Sequence, residues 1–311
     1  MKTKRSGLTV IEILVVVGII ATLVAILVPA MSMVKNTARE VKQKAQFTAI
    51  DLGLAAFRND TGDYPPSDWW NPAMPAAPQD YCGAQKLAEA MVGWDLLGFH
   101  PDSAWRADGL DSQAGPGTYD PLKVNAPSVT LQKRKGRYVE LEVANAFRLG
   151  ETLPGARDGL FMDTAPLAKN THVLCDVFEV PERKVRLASG RMVAPGTPIL
   201  YYRANPANKT ISAPALPENR TYNLRDNLPL IGLGRLADAA QPVGSRRVHP
   251  LHPLAPVDPR LPSPIDFYDY IRDPKIEAQP WPYRPDSYIL ISAGPDGLYG
   301  TSDDLCNFAR K

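Results

Sequence analysis

Two sets of carboxylates stand out for the chemistry their surroundings imply. The first is Glu12, alone in "SGLTVIEILVVV", an acid inside a membrane-length apolar run. A carboxylate within a spanning segment costs roughly 2.5 to 3.5 kcal/mol on insertion scales and usually marks function through a specific partner. A signal peptide or a plain anchor gains nothing from that cost. A cut between Gly7 and Leu8 would place a new α-amino group one helical turn from Glu12. An amine on a neighbouring copy could then pair with the carboxylate, so Glu12 would reward assembly of many copies in register.

The second set is Asp296, Asp303 and Asp304 in "SAGPDGLYGTSDDL". Carboxylates this close, with glycines that let backbone carbonyls turn inward, suit a hard cation that takes about six to eight oxygens. The spacing is not that of an EF-hand. Asp and Gly also make ordinary polar turns, so composition leaves both readings open.

Other chemistry finds little footing. His249 and His252 are flanked by prolines that prevent a helical metal face, so solvated loop histidines are expected there. His100 and His172 have no motif around them. There is no G-x-S-x-G, Walker-type loop, H-E-x-x-H or nucleotide fingerprint, and no catalytic residue is assigned. Trp69, Trp70, Trp94, Trp105 and Trp281 could line a sugar or partner surface, but core and loop-anchoring roles are expected. Cys82, Cys175 and Cys306 lack C-x-x-C spacing, which leaves one long-range disulfide with a free thiol, or three unpaired thiols. With 35 basic and 33 acidic residues the net charge is +2, too little to recruit nucleic acid by counterion release.

The elements that must position these groups are legible in outline. No charged residue lies between Ile13 and Val34, a stretch long enough at ~1.5 Å per residue to cross a ~30 Å hydrocarbon core. Lys2, Lys4 and Arg5 precede it, so the positive-inside rule keeps the N-terminus cytoplasmic and sends the rest outward. A signal peptide cut near Val28-Pro29-Ala30 and a plain anchor are the bland alternatives. Beyond Pro29, spacings of three and four put Ala38, Val41, Ala45, Thr48, Leu52 and Ala55 on one face, expected to pack on a folded domain. The helix is expected from Leu8 to about Asn59 and to stop in "RNDTGDYPPS". A short helix is expected from Ala84 to about Trp94. Strands are expected in "HVLCDVFEV", "KVRLASGRMV" with a turn at Ser189-Gly190, "PILYYRAN", and Tyr288–Ser292. An antiparallel sheet laid across the long helix is the expected architecture, with Pro-rich surface excursions such as "HPLHPLAPVDPRLPSP".

The basic leader, Gly7 and "LTVIEILVVVGIIATLVAILVPA" resemble the N-terminus of type IV pilins and type II secretion pseudopilins, whose usual form reads G-F-T-L-I-E. The resemblance implies cleavage after Gly7 by a prepilin peptidase, Leu8 as the methylated mature N-terminus, and Glu12 as the assembly glutamate. Leu8 departs from the commoner phenylalanine. "RNDTGDYPPS" is similar to the N-G-x-Y-P that follows the long helix in pseudopilins, and "SAGPDGLYGTSDDL" resembles the calcium loop of the major pseudopilin. That second likeness implies a structural calcium held by the side chains of Asp296, Asp303 and Asp304 and the carbonyls of Ala293 and Thr301.

The family implies an α+β, pilin-like fold in which a long N-terminal helix packs on an antiparallel sheet. The chain then divides into a leader (1–7), a transmembrane and filament-core helix (8–34), its amphipathic continuation (35–62) and an exported domain (63–311). That domain would carry a large loop-rich insertion (67–283) and the calcium loop (291–305). The implied role is a non-enzymatic subunit of a periplasmic pseudopilus that supports protein export. Its partners would be other copies, other pseudopilins, the prepilin peptidase and the assembly platform of a bacterial inner membrane, which it would cross once. Alternatives are a surface type IV pilin or minor pilin for adhesion or DNA uptake, and an anchored exported binding protein that does not polymerise.

Overall fold

The computed structural model describes residues 9–69, 80–109, 118–119, 131–208, 210–212, 216–254 and 265–308. Gly7, Leu8 and Trp70 lie outside them. The chain forms two compact units, Met1–Lys42 and Gln43–Lys311. Helix α1 (Val10–Thr61) supplies the described part of the first unit and the opening element of the second.

In the first unit, Val10–Leu27 is wholly unburied and, by length and composition, apolar enough to cross a membrane. A signal sequence passes the same test. Pro29 lies inside α1, which runs on to Thr61, and Gly62 closes it at φ +90° with its N–H on the Arg58 carbonyl at 2.8 Å. Glycine takes that left-handed position without a Cβ penalty.

The second unit mixes short helices with small antiparallel sheets. Helix α2 (Gly83–Val92) matches the expected one closely, and every residue in it is buried. Strands β1 (Ala146–Arg148) and β2 (His172–Leu174) pair antiparallel, as do β3 (Val185–Arg186) and β4 (Met192–Val193), which form the hairpin expected at Ser189-Gly190. The third sheet has the order β5 (Leu200–Arg203), β6 (Tyr288–Ser292), β7 (Leu305–Cys306), with Leu200 opposite Ile291 and Ser292 opposite Leu305. The expected strand in "HVLCDVFEV" shortens to β2 with a bridge from Cys175 to Pro198.

Strand β6 is the centre of this unit. Every residue of "YILIS" is buried, which is the pattern of a strand covered on both faces. Tyr288 and Leu290, with Tyr201 of β5, join a core made by Phe47, Ile50, Leu54 and Phe57 of α1 and by Leu87 and Met91 of α2. Ile289 and Ile291, with Leu200 and Tyr202, point into a second core containing Cys175, Leu230, Phe267 and Tyr299. The period of two sorts one strand's side chains into two cores.

The face that α1 buries differs from the expected one. Val41 is 62% and Leu52 68% exposed, and Ala45 and Ala55 are exposed too. The buried stripe is Gln43, Gln46, Phe47, Ile50, Leu54 and Phe57. The physical reason is size: a buried Phe, Ile or Leu contributes about 1.5 to 3 kcal/mol, far more than Ala or Thr on the rival face. Each buried glutamine has one end of its amide bonded, while Gln43 Nε2 and Gln46 Oε1 have no hydrogen-bond partner among the described residues. Gln46 Nε2 donates to the Val143 carbonyl at 2.8 Å and the Cys175 carbonyl at 2.9 Å, and Gln43 Oε1 accepts from Val177 N–H at 3.0 Å.

Candidate functional site

Glu12 sits at the third position of α1, and Thr9 precedes the helix. Thr9 N–H donates to Glu12 Oε2 at 2.7 Å, Thr9 Oγ1–H to the same oxygen at 2.9 Å, and Glu12 N–H to Thr9 Oγ1 at 3.3 Å. This is a capping box, in which residues three apart satisfy each other's helix-end donors. The T-x-x-E spacing is its signal in the sequence. The carboxylate thus has a first-turn role in the isolated chain, and both residues are exposed. The proposed cleavage and methylation residues, Gly7 and Leu8, lie outside the described residues.

At the other end, β6 leads into the acidic loop. Gly294 has φ +62°, and a Cβ there would collide with the Asp303 carbonyl oxygen, so glycine is what lets the returning chain approach the strand end. Asp303 Oδ2 accepts from Asp296 N–H at 3.0 Å, and the Thr301 hydroxyl donates to Asp303 Oδ1 and lies 3.3 Å from Asp304 Oδ1. Asp304 Oδ2 accepts from Gly300 N–H at 2.8 Å and from the Tyr270 hydroxyl at 2.5 Å, while Asp296 Oδ1 accepts from Leu298 N–H at 2.7 Å. Burial and then the neighbouring Asp303 charge hold the Asp296 proton above the usual carboxylate range. Ala293 is buried at the end of the strand.

The oxygen donors expected for a hard cation are thus gathered in one turn, and two of the carboxylates press on each other. Their oxygens are engaged by N–H and O–H groups of the turn and by the Tyr270 hydroxyl. Among the described residues, no three acidic, histidine or cysteine side chains form a group able to hold a metal ion. The donor chemistry fits calcium, while the arrangement is that of a self-bonded turn.

The loop is tied to the rest of the unit by residues that spacing did not flag. Asp176 is fully buried; its Oδ1 accepts from Phe178 N–H at 3.1 Å and Thr197 N–H at 3.0 Å, and its Oδ2 from Ser292 Oγ at 2.8 Å. Ser292 Oγ in turn accepts from Gly294 N–H at 3.2 Å. His249 is also buried, against the expectation of solvated loop histidines. Its Nδ1 accepts from Tyr299 N–H at 3.1 Å, and desolvation pushes its pKa down to about 3. The flanking prolines prevent a helix but not burial, and Leu251 N–H on the Tyr299 carbonyl at 3.1 Å seats the segment against the acidic loop.

His172, Trp94 and Trp105 serve packing. His172 Nδ1–H donates to the Trp94 carbonyl at 3.0 Å, and burial holds its pKa down at about 4. Trp94 Nε1–H donates to the Ala107 carbonyl at 3.2 Å, and Trp105 stacks on Phe99 at 5.3 Å between centroids. Cys82 and Cys175 are buried free thiols, and the Cys306 sulfur lies 3.4 Å from the Tyr270 hydroxyl; burial pushes Cys82 up to about 12. Comparison with family models, curated proteins and solved structures finds no match for this chain.

Proposed function

We propose that the protein is a pilin-like filament subunit, nearest in kind to a type II secretion pseudopilin, with an enlarged exported domain. The observation that carries the reading is Glu12 in the first turn of a 52-residue helix whose opening stretch is apolar and unburied. In such a helix, set in lipid, a carboxylate is costly unless it finds a cation. The new N-terminal amine of a neighbouring copy, released by cleavage after Gly7, is that cation. The second half of α1 then roots the helix in the exported domain through Phe47, Ile50, Leu54 and Phe57. The pilin-like fold is supported by this helix meeting an antiparallel sheet at one core. The acidic loop would hold calcium through Asp296, Asp303 and Asp304, with the carbonyls of Ala293 and Thr301, as a structural ion. The role is structural, with self, other pseudopilins, the prepilin peptidase and an inner-membrane platform as partners.

The test is the N-terminal sequence and intact mass of protein purified from membranes of a host with active prepilin peptidase, together with filament formation by Glu12→Leu. A chain beginning at Leu8, and a Glu12→Leu variant that stays in the membrane without forming filaments, supports the reading. A start after Ala30 makes the segment a signal peptide, and a start at Met1 makes it a plain anchor; either overturns it.

A further inference from the structure

Lys86 lies on α2, inside the protein, with its side chain only 2% exposed. Its Nζ donates to Asp68 Oδ1 at 2.9 Å and to the Asp68 carbonyl at 2.7 Å. Asp68 belongs to the loop that follows α1, and its side chain is 55% exposed. Beside this pair is a second carboxyl, Asp226. Ser67, the residue before Asp68, donates its hydroxyl to Asp226 Oδ2 at 2.5 Å and accepts from Arg203 N–H at 2.9 Å, which fixes its rotamer. Asp226 Oδ1 is buried and has no hydrogen-bond partner among the described residues. Asp68 and Asp226 line one cavity of about 430 Å³. Burial raises the Asp226 pKa to about 7 against the Ser67 hydrogen bond, with the Asp68 charge raising it and the Lys86 charge lowering it. An amine, a carboxyl it already touches, and an acid able to exchange protons thus meet at one place.

We propose that Lys86 and Asp68 condense into an intramolecular isopeptide bond, with Asp226 exchanging the protons. The ammonium gives a proton to the Asp68 carboxylate along the existing hydrogen bond, leaving a neutral amine against a neutral acid. Nζ attacks Cγ of Asp68 and the C–N bond forms. Protonated Asp226 supplies a proton to the departing hydroxyl and recovers one from the nitrogen. The C–O bond breaks and one water leaves through the exposed side of Asp68. Ammonium and carboxylate become amide and water, with no oxidant, reductant or cofactor. An ordinary ion pair would account for Lys86 and Asp68 but leaves the buried, unpartnered oxygen of Asp226 without a use. The bond would lock the loop after α1 to α2.

The deciding measurement is the intact mass of the purified full chain, held at pH 6 and then denatured, followed by fragmentation of its peptides. The expected mass is one water below that of the sequence, with a branched peptide joining positions 68 and 86. Lys86→Arg, which keeps the ion pair but cannot form the amide at this site, and Asp226→Asn should both return to the full sequence mass. A wild-type chain at full mass overturns the proposal. So does a lost water that maps to a succinimide at Asp108-Gly109, Asp158-Gly159 or Asp296-Gly297. If Asp226→Asn retains the branched peptide, the proton-exchange role of Asp226 is wrong. If that variant fails to fold, the comparison of wild type with Lys86→Arg still decides whether the bond exists.

Discussion

Thr9 and Glu12 satisfy each other across the first turn of α1, the threonine N–H on the carboxylate at 2.7 Å and the glutamate N–H on the threonine hydroxyl at 3.3 Å. A local cap and an assembly contact therefore compete for one carboxylate, and they separate by mutation. Thr9→Ala removes the cap, at a cost of about 0.5 to 2 kcal/mol in helix stability, but leaves the carboxylate available to a neighbour. Thr9→Ala is expected to form filaments close to wild-type yield by electron microscopy, whereas Glu12→Leu forms none. Equal loss in both variants would make capping the whole function of Glu12.

The two faces of α1 are expected to respond differently. Ile50→Ala, in the core beneath the sheet, should cost about 2 to 5 kcal/mol, and Leu52→Ala, on the exposed face, less than about 0.5 kcal/mol. Urea unfolding of the detergent-solubilised chain, followed by tryptophan fluorescence, measures both. A larger loss for Leu52→Ala would restore the stripe through Val41 and Leu52 as the packing face.

Gln46→Leu should be costly although it replaces a polar residue with an apolar one of similar size. Its Nε2 serves the Val143 carbonyl and the Cys175 carbonyl, the latter also reached by Asn145 Nδ2 at 3.3 Å, and a buried acceptor that loses a donor costs about 1 to 3 kcal/mol. The same unfolding series checks it; a neutral result would mean those carbonyls find other donors.

Stability against pH should carry opposing slopes. Glu89 is buried on α2 with the Tyr81 and Ser103 hydroxyls on its carboxyl and Lys86 and Tyr119 nearby, and burial pushes its pKa from 4.5 up to about 7. The folded state then holds a proton that the unfolded state has lost. Stability from Glu89 is full below pH 4.5 and falls by up to about 1.4 kcal/mol per pH unit as pH rises towards 7. His249 acts in the reverse sense: its pKa is depressed from 6.5 to about 3, so its contribution is full above pH 6.5 and is lost as pH falls towards 3. Between pH 4.5 and 6.5 the two nearly cancel. Asp176 and Asp226, whose pKa values burial also raises to about 7, act in the same sense as Glu89, and His172, lowered to about 4, acts with His249, so Glu89→Gln should make the urea midpoint fall less steeply with pH across that window than it does in the wild type. An unchanged profile would place the Glu89 pKa near its ordinary value.

Millimolar calcium should raise the melting temperature of the wild-type chain relative to chelator, by about 2.7 kcal/mol of stability when the ion stands at a hundred times its dissociation constant. Asp303→Ala should abolish the shift. No shift in the wild type would leave Asp296, Asp303 and Asp304 as a hydrogen-bonded turn and remove the calcium part of the proposed function.

The sequence by itself determined what depends on near neighbours. The apolar run of α1, its stop at Gly62, helix α2, the β3–β4 hairpin and strand β6 follow from periodicity, turn residues and local capping, and each forms close to its expected place. Tertiary structure alone decided which stripe of α1 is buried, because Phe47, Ile50, Leu54 and Phe57 win only once β6 and α2 offer a surface to cover. It also decided the fate of the polar groups. His249 reads as a loop residue until Tyr299 arrives from fifty positions away to donate to it, and the buried Lys86 finds its carboxylate, Asp68, on the loop after α1. Local pattern sets which backbone forms are cheap, but a buried charge or amide is tolerable only where distant chain brings its partner, and that information is not local.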